Sequence, residues 1–254
     1  SLAVLNDTTI LLINAGSPAR ICKSTDKGKT WRTVYSSNSD DIFFDGLRFA
    51  NEKFGYALAD PIGGCFQILK TTDGGETWTE ADCNRWLHSL DGEAAFASSN
   101  TSLEVYNHNV WFATGGLYSR LFFSKDYGNT FEVRPLPLKQ GDKMTGTFSI
   151  AFFDEKNGIA IGGHYDNKSL TDSTKAITSD GGLTWKLIPA TDFGFGSCVQ
   201  YLPESKGRSF LVAASDIYFS KDSGKKFIKV ADGAYYTLRV SPTGNVAWFA
   251  GSGG

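Results

Sequence analysis

The chain has 254 residues, of which 41% are hydrophobic and 14% aromatic, with a formal net charge of −2 and a pI near 5.9. That length suits one large all-β domain or two smaller ones, and the apolar content can fill a substantial core. The charge lacks the basic surplus of a phosphate-backbone binder, so no nucleic-acid partner is expected, and no apolar run reaches the ~20 residues of a membrane-spanning helix.

No leader segment is visible at the start, where "SLAVLNDTTILLINAG" already reads as strand. "ILLINAG" (10–16) is apolar almost throughout and ends in small residues, the character of a strand buried on both faces. A loop and a short strand then lead into "STDKGKTW" (24–31). The same order recurs along the chain. "GYALAD" (55–60) precedes "TTDGGETW" (71–78), and "VWFATGG" (110–116) precedes "SKDYGNTF" (124–131). "GIAIGG" (158–163) precedes "TSDGGLTW" (178–185), and "FLVAAS" (210–215) precedes "SKDSGKKF" (220–227). A sixth apolar strand, "VAWFAG" (246–251), follows without a further copy.

The repeated element is S/T-x-D-x-G-x-T-W/F, with aspartates at Asp26, Asp73, Asp126, Asp180 and Asp222, spaced 47, 53, 54 and 42 residues apart. That spacing matches one four-stranded sheet per repeat. The Asp side chain can accept hydrogen bonds from N–H groups just beyond it, and the Gly two residues later supplies φ > 0. Ser and Thr hydroxyls can satisfy further turn groups. The aromatic residue, Trp31, Trp78 and Trp185 among the copies, starts the next strand and packs between sheets. The role is structural. A Ca²⁺ loop would need more oxygen ligands than Lys27–Lys29 or Gly75–Glu76 provide. No metal and no cofactor is expected. Cys22, Cys65, Cys83 and Cys198 show no metal-binding spacing; ordinary thiols are the expectation, with a Cys65–Cys83 disulfide as an open alternative.

The five turns resemble the Asp-box, or bacterial neuraminidase repeat. The resemblance implies an all-β protein, a single β-propeller domain over residues 1–254. Six apolar second strands against five boxes predict six four-stranded antiparallel blades, the last short of one or two strands; seven blades is the runner-up. With the strands of a repeat lettered A to D, the boxes are C–D turns, so one face of the ring is committed to tight turns. A ligand site is then expected on the other face, where B–C and D–A loops converge on the mouth of the channel. These loops carry Arg20, Asp60, Arg85, Glu93, Arg120, His164 and Tyr165. Arg20 and Arg120 lie six residues before their box aspartates, so two guanidiniums could share one mouth and suit a carboxylate or sulfate; an inter-blade salt bridge is the competing reading.

A sialidase is not expected, because the Arg-Ile-Pro motif that precedes the first box in such enzymes is missing and "PARI" (18–21) is misplaced for it. No catalytic residues are assigned, although a different hydrolase built on Asp60, Glu93 and His164 is conceivable. No dinucleotide fingerprint or βαβ unit is present. The segments 59–78, 92–102, 110–131, 148–165 and 246–254 resemble bacterial relatives of the photosystem II stability/assembly factors. That resemblance implies an extracytoplasmic propeller, periplasmic or secreted with its signal peptide removed, with Asp60, Glu93, Arg120 and Tyr165 lining the mouth. The expected function is a non-catalytic, monomeric binding or assembly scaffold whose partner is a protein or a small polar or glycan ligand. The alternative is a glycan-binding or glycoside-cleaving protein, with Trp86, Tyr118, Phe193 and Phe195 as stacking aromatics.

Overall fold

A computed structural model describes residues 1–37, 39–83 and 86–251. Among these residues every regular element is a β-strand. Blade one is built from Leu2–Val4, Ile10–Ile13, Arg20–Ser24 and Arg32–Ser36 in sequential antiparallel order. Blade two follows with Phe44–Phe49, Gly55–Ile62, Cys65–Thr71 and Thr79–Glu80, and blade three with Leu103–Tyr106, Asn109–Ala113, Arg120–Ser124 and Glu132–Pro135. Blade four comprises Thr145–Phe152, Gly158–His164, Lys175–Thr178 and Lys186–Leu187, and blade five Cys198–Tyr201, Phe210–Ala213, Ile217–Ser220 and Ile228–Ala231. The last sheet holds two strands, Thr237–Val240 and Ala247–Ala250. Among the described residues this sheet has no C or D strand, and no seventh sheet occurs.

In blades two to five burial falls from the B strand to the outer D strand. The B strands Asn109–Ala113 and Gly158–His164 are buried almost throughout, whereas the D strands Thr79–Glu80 and Ile228–Ala231 are exposed. This is why the B strands read as continuous apolar runs.

All five aspartate turns share one hydrogen-bond scheme. In blade two, Gly75 N–H and Asp73 N–H donate to Thr71 Oγ1, while Thr77 N–H and Glu76 N–H donate to Asp73 Oδ1. Thr77 Oγ1–H closes the turn on Asp73 Oδ2 at 2.6 Å. The fifth copy has Lys226 where the others have Thr, so Asp222 accepts from its N–H alone at that position. Two consecutive residues of each turn, not one, have positive φ: Lys27 with Gly28, Gly74 with Gly75, Tyr127 with Gly128, Gly181 with Gly182, and Ser223 with Gly224. A double left-handed pair of this kind matches the right-handed twist of the flanking strands.

Five apolar layers join consecutive blades. Leu11, Ile21 and Leu47 mark the first, Phe66, Phe112 and Phe122 the second, and Trp111, Leu121 and Phe152 the third. Ile159, Val199 and Phe210 mark the fourth, and Cys198, Ala213 and Leu238 the fifth. Each turn aromatic enters the layer before its own blade: Trp78 the first, Phe131 the second, Trp185 the third and Phe227 the fourth. The turn glycines are seated the same way. A Cβ on Gly75 would lie 2.4 Å from Leu11 of blade one, and one on Gly182 2.5 Å from Leu121 of blade three.

Blade one is the exception. Trp31 is 40% exposed, and the space beside Gly28 is bounded only by Trp31 and Ile10 of its own blade. The expectation that Trp31 packs between sheets is corrected accordingly, because no apolar layer joins blade six to blade one among the described residues. A cavity of about 510 Å³ separates Leu2 and Ile13 from Thr237 and Arg239 at that seam. Leu2, Val4, Val246 and Trp248 remain exposed beside it.

Cys65 and Cys83 form a disulfide, which corrects the expectation of ordinary thiols at these positions; Cys22 and Cys198 are free. The bond ties the start of a C strand to the connector leaving blade two.

Candidate functional site at the channel mouth

Four backbone segments stitch blades three and four together at the face carrying the B–C and D–A loops. Gly115–Gly116 pairs with Glu93–Ala94 on one side and with Gly146 on the other, extending the fourth sheet into the mouth. The approach is so close that a Cβ on Gly162 would sit 1.9 Å from the carbonyl oxygen of Gly146. Hence glycine pairs, Gly115–Gly116 and Gly162–Gly163, stand at or just beyond the mouth ends of these B strands.

Three β-bulges aim side chains at this mouth. Opposite Ala59 and Leu58, blade two pairs through Phe44 and Gly46, leaving Asp45 as the extra residue. In the neighbouring strand Asp60 is extra between Ala59 and Pro61, and in blade four Phe148 is extra between Thr147 and Ser149. A bulge kinks its strand and redirects the unpaired residue, and here all three sit at the same end of the propeller.

The result is a cavity of about 510 Å³ with a mainly apolar wall. Phe43 and Asp45 come from blade two, Phe96 from the connector to blade three, Phe148 and Tyr165 from blade four and Tyr236 from the entry to blade six. Phe96 stacks on Phe148 with ring centroids 3.7 Å apart, and Tyr165 packs edge-to-face on Phe195 at 5.5 Å. Lys168 Nζ sits 4.6 Å over the Tyr165 ring at the rim.

Asp45 is 0% exposed, and neither of its carboxylate oxygens has a hydrogen-bond partner among the described residues. Burial, reinforced by the charge of Asp60, pushes its carboxyl well above the usual range. Burial also raises Asp60, against the opposing effect of the Ala95 N–H that donates to its Oδ1 at 3.0 Å.

The other expected site residues have different surroundings. Glu93 is fully buried and accepts from Arg120 Nε at 2.8 Å, Arg120 Nη2, Thr114 Oγ1 and Leu90 N–H. Arg120 also donates to the His88 carbonyl. This pair is a desolvated structural clamp, not a ligand grip, because the fork and the carboxylate satisfy each other. The expected pairing of two guanidiniums in one mouth therefore gives way: Arg120 is engaged by Glu93, and Arg20 is exposed at the start of its strand, outside the cavity lining. His164 Nδ1 accepts from the Asn167 N–H at 3.3 Å and does not line the cavity. Tyr165 does line it, Asp60 stands beside Asp45, and Arg85 lies outside the described residues. Of the aromatics proposed for sugar stacking, Phe193 and Phe195 are buried in packing, Trp86 packs on the second layer and Tyr118 is exposed. Among the described residues no three His, Cys, Asp or Glu side chains group as metal ligands.

Sequence reasoning missed Asp45, Phe96 and Tyr236. The available signal was a lone carboxylate inside the apolar stretch "IFFDGLRF" (42–49), where an unpaired charge is costly.

The fold and the loop-lined mouth define a β-propeller. No family model matches the chain, and no curated protein matches it. Solved structures do. An ancestral GH74 enzyme aligns with all of this chain and 35% of its own, at a TM-score of 0.67 and 10% identity. A protein of unknown function from Dyadobacter fermentans covers 94% of this chain and 85% of its own, at 0.63 and 14%. YCF48 from Cyanidioschyzon merolae covers 95% and 89%, at 0.53 and 12%. At such identities the likeness is one of fold. Among the described residues no helix is long and apolar enough to cross a membrane.

Proposed function

We propose that this protein is a monomeric, extracytoplasmic binding propeller that receives a ligand group, free or carried on a partner protein, in the aromatic cavity at the channel mouth. The observation that carries this reading is Asp45, a buried carboxylate with no hydrogen-bond donor among the described residues, set on a bulge at the wall of a cavity lined by several blades. A polar group desolvated in this way costs stability unless something else satisfies it, and such costs concentrate at functional sites. The disulfide supports an oxidising compartment. The structural neighbours include both an assembly-factor name and a glycoside hydrolase name, so they leave the choice of ligand to the site.

Met144 lines the cavity and is the one methionine of the chain, so its ¹³C-labelled methyl is a unique reporter. Titration with panels of peptides, oligosaccharides and small charged molecules is expected to shift that methyl saturably for one class, with the shift lost in Tyr165→Ala. A panel that never moves it would end the reading.

The adjacent Asp45 and Asp60, both held toward their protonated forms, favour one second reading, glycoside cleavage. Turnover of aryl glycosides that vanishes in both Asp45→Asn and Asp60→Asn would establish it; no turnover would remove it.

A further inference from the structure

We infer that the mouth cavity binds an alkylammonium group, with Asp45 as its anionic contact and the rings of Phe43, Phe96, Tyr165 and Tyr236 as its walls. The inference rests on the proposed function above and names the ligand class of the same site.

Two features select a cation over a neutral group. The first is the unanswered charge. Asp45 lines the cavity, and neither of its buried carboxylate oxygens has a hydrogen-bond partner among the described residues. No described cation of the protein reaches them. Arg120 is held by Glu93, Arg48 lies 3.7 Å from Glu104, and Lys168 sits over Tyr165 at the rim. Burial alone favours the protonated form of Asp45, and an ammonium bound beside it supplies the positive charge that would hold the carboxylate ionised. The second feature is the wall. Aromatic faces carry negative potential and attract ammonium groups, which is how cages for quaternary and alkylated amines are built. The rim already displays this preference, since Lys168 Nζ is 4.6 Å from the Tyr165 centroid and 5.9 Å from that of Phe195. A sugar would ask for several directional polar partners on the walls, whereas here the wall is mainly aromatic, alanine and methionine, with a single acid.

The volume, about 510 Å³, admits a small organic cation or the end of a lysine side chain. Both sources present the same chemistry, and the test separates them.

The experiment follows the Met144 methyl resonance of the whole chain during titration with choline and with Nα-acetyl-lysine amide. Each is paired with a neutral analogue, 3,3-dimethylbutanol and Nα-acetyl-norleucine amide. At least one cation is expected to bind saturably, about tenfold or more tighter than its analogue, and about tenfold or more tighter to wild type than to Asp45→Asn. Choline alone binding would identify a small-molecule source, and lysine amide alone a protein side chain. The Asn variant preserves shape, and its thermal transition reports that it is folded. Equal binding of a cation and its neutral analogue, or undiminished binding by folded Asp45→Asn, would overturn the ammonium assignment while leaving a binding mouth. Silence of Met144 toward these probes and toward the wider panels would overturn both.

Discussion

Asp45 and Asp73 are the same residue type put to opposite uses. Partial burial works against ionisation of Asp73, but hydrogen bonds from Thr77, Thr71 and Glu76 outweigh it and hold its carboxyl at about 2. Asp45 has burial and Asp60 against it and no donor. The consequences for stability run in opposite directions. A depressed carboxyl contributes stability that is present above its unfolded value near 4 and lost as pH falls toward 2. A raised carboxyl favours the fold only when protonated, so its cost grows as pH rises above about 4. Urea unfolding across pH 2.5–7 is therefore expected to find Asp73→Asn weaker than wild type by about 1 kcal/mol at neutral pH, with the gap closing in acid. Asp45→Asn is expected to be more stable than wild type at neutral pH, with that gap closing in acid too. Parallel curves for wild type and Asp45→Asn would show that Asp45 is not held in this way. The turn aspartates were legible in the sequence because every donor they use lies within four residues. Asp45 was not, because its surroundings are assembled by blades far apart in the chain.

The recurring element is a hairpin turn with two left-handed residues, and its glycine has two duties. It supplies positive φ, and it makes room for the preceding blade. The copies let these duties be separated. Gly75→Ala meets both the φ penalty and Leu11, and about 2–4 kcal/mol of loss is expected; Gly28→Ala meets the φ penalty with no neighbouring blade, and about 1–2 kcal/mol is expected. Lys27 is exposed and has φ of 64°, so Lys27→Gly is expected to gain up to about 1 kcal/mol. Thermal unfolding should resolve these as shifts of roughly 2–4 °C per kcal/mol. Equal losses at Gly28 and Gly75 would mean that blade one also has a packed neighbour. The sequence displays the turn and its glycine. It hides the bulges at Asp45, Asp60 and Phe148, because a bulge is a mismatch between two strands and neither strand carries it alone.

Across the whole molecule, stability is distributed along an open series of layers. Five apolar interfaces join blades one through six in order, and the seam from six back to one is a cavity instead. A sheet packed on one side has fewer contacts to break before its amides open. Hydrogen exchange is expected to be fastest, among ladder amides, in Thr237–Val240 and Ala247–Ala250. It should be slowest in Asn109–Ala113 and Gly158–His164, where both faces are covered. Protection of the last sheet equal to that of blade three would contradict the open seam.

What the sequence by itself determined was everything set by near neighbours. The aspartate turns, the order of strands within a blade and the apolar B strands all follow from patterns a few residues long that recur along the chain. It also reserved one face for tight turns, and the structure places all five of them as C–D hairpins. What only the tertiary structure decided was which loop charges are spent on one another and which are not. Glu93 and Arg120 looked like ligand residues because sequence shows charge in a loop but not the partner across the mouth. Asp45 looked like nothing in particular because its isolation arises from the convergence of several blades, and that convergence is a property of the ring.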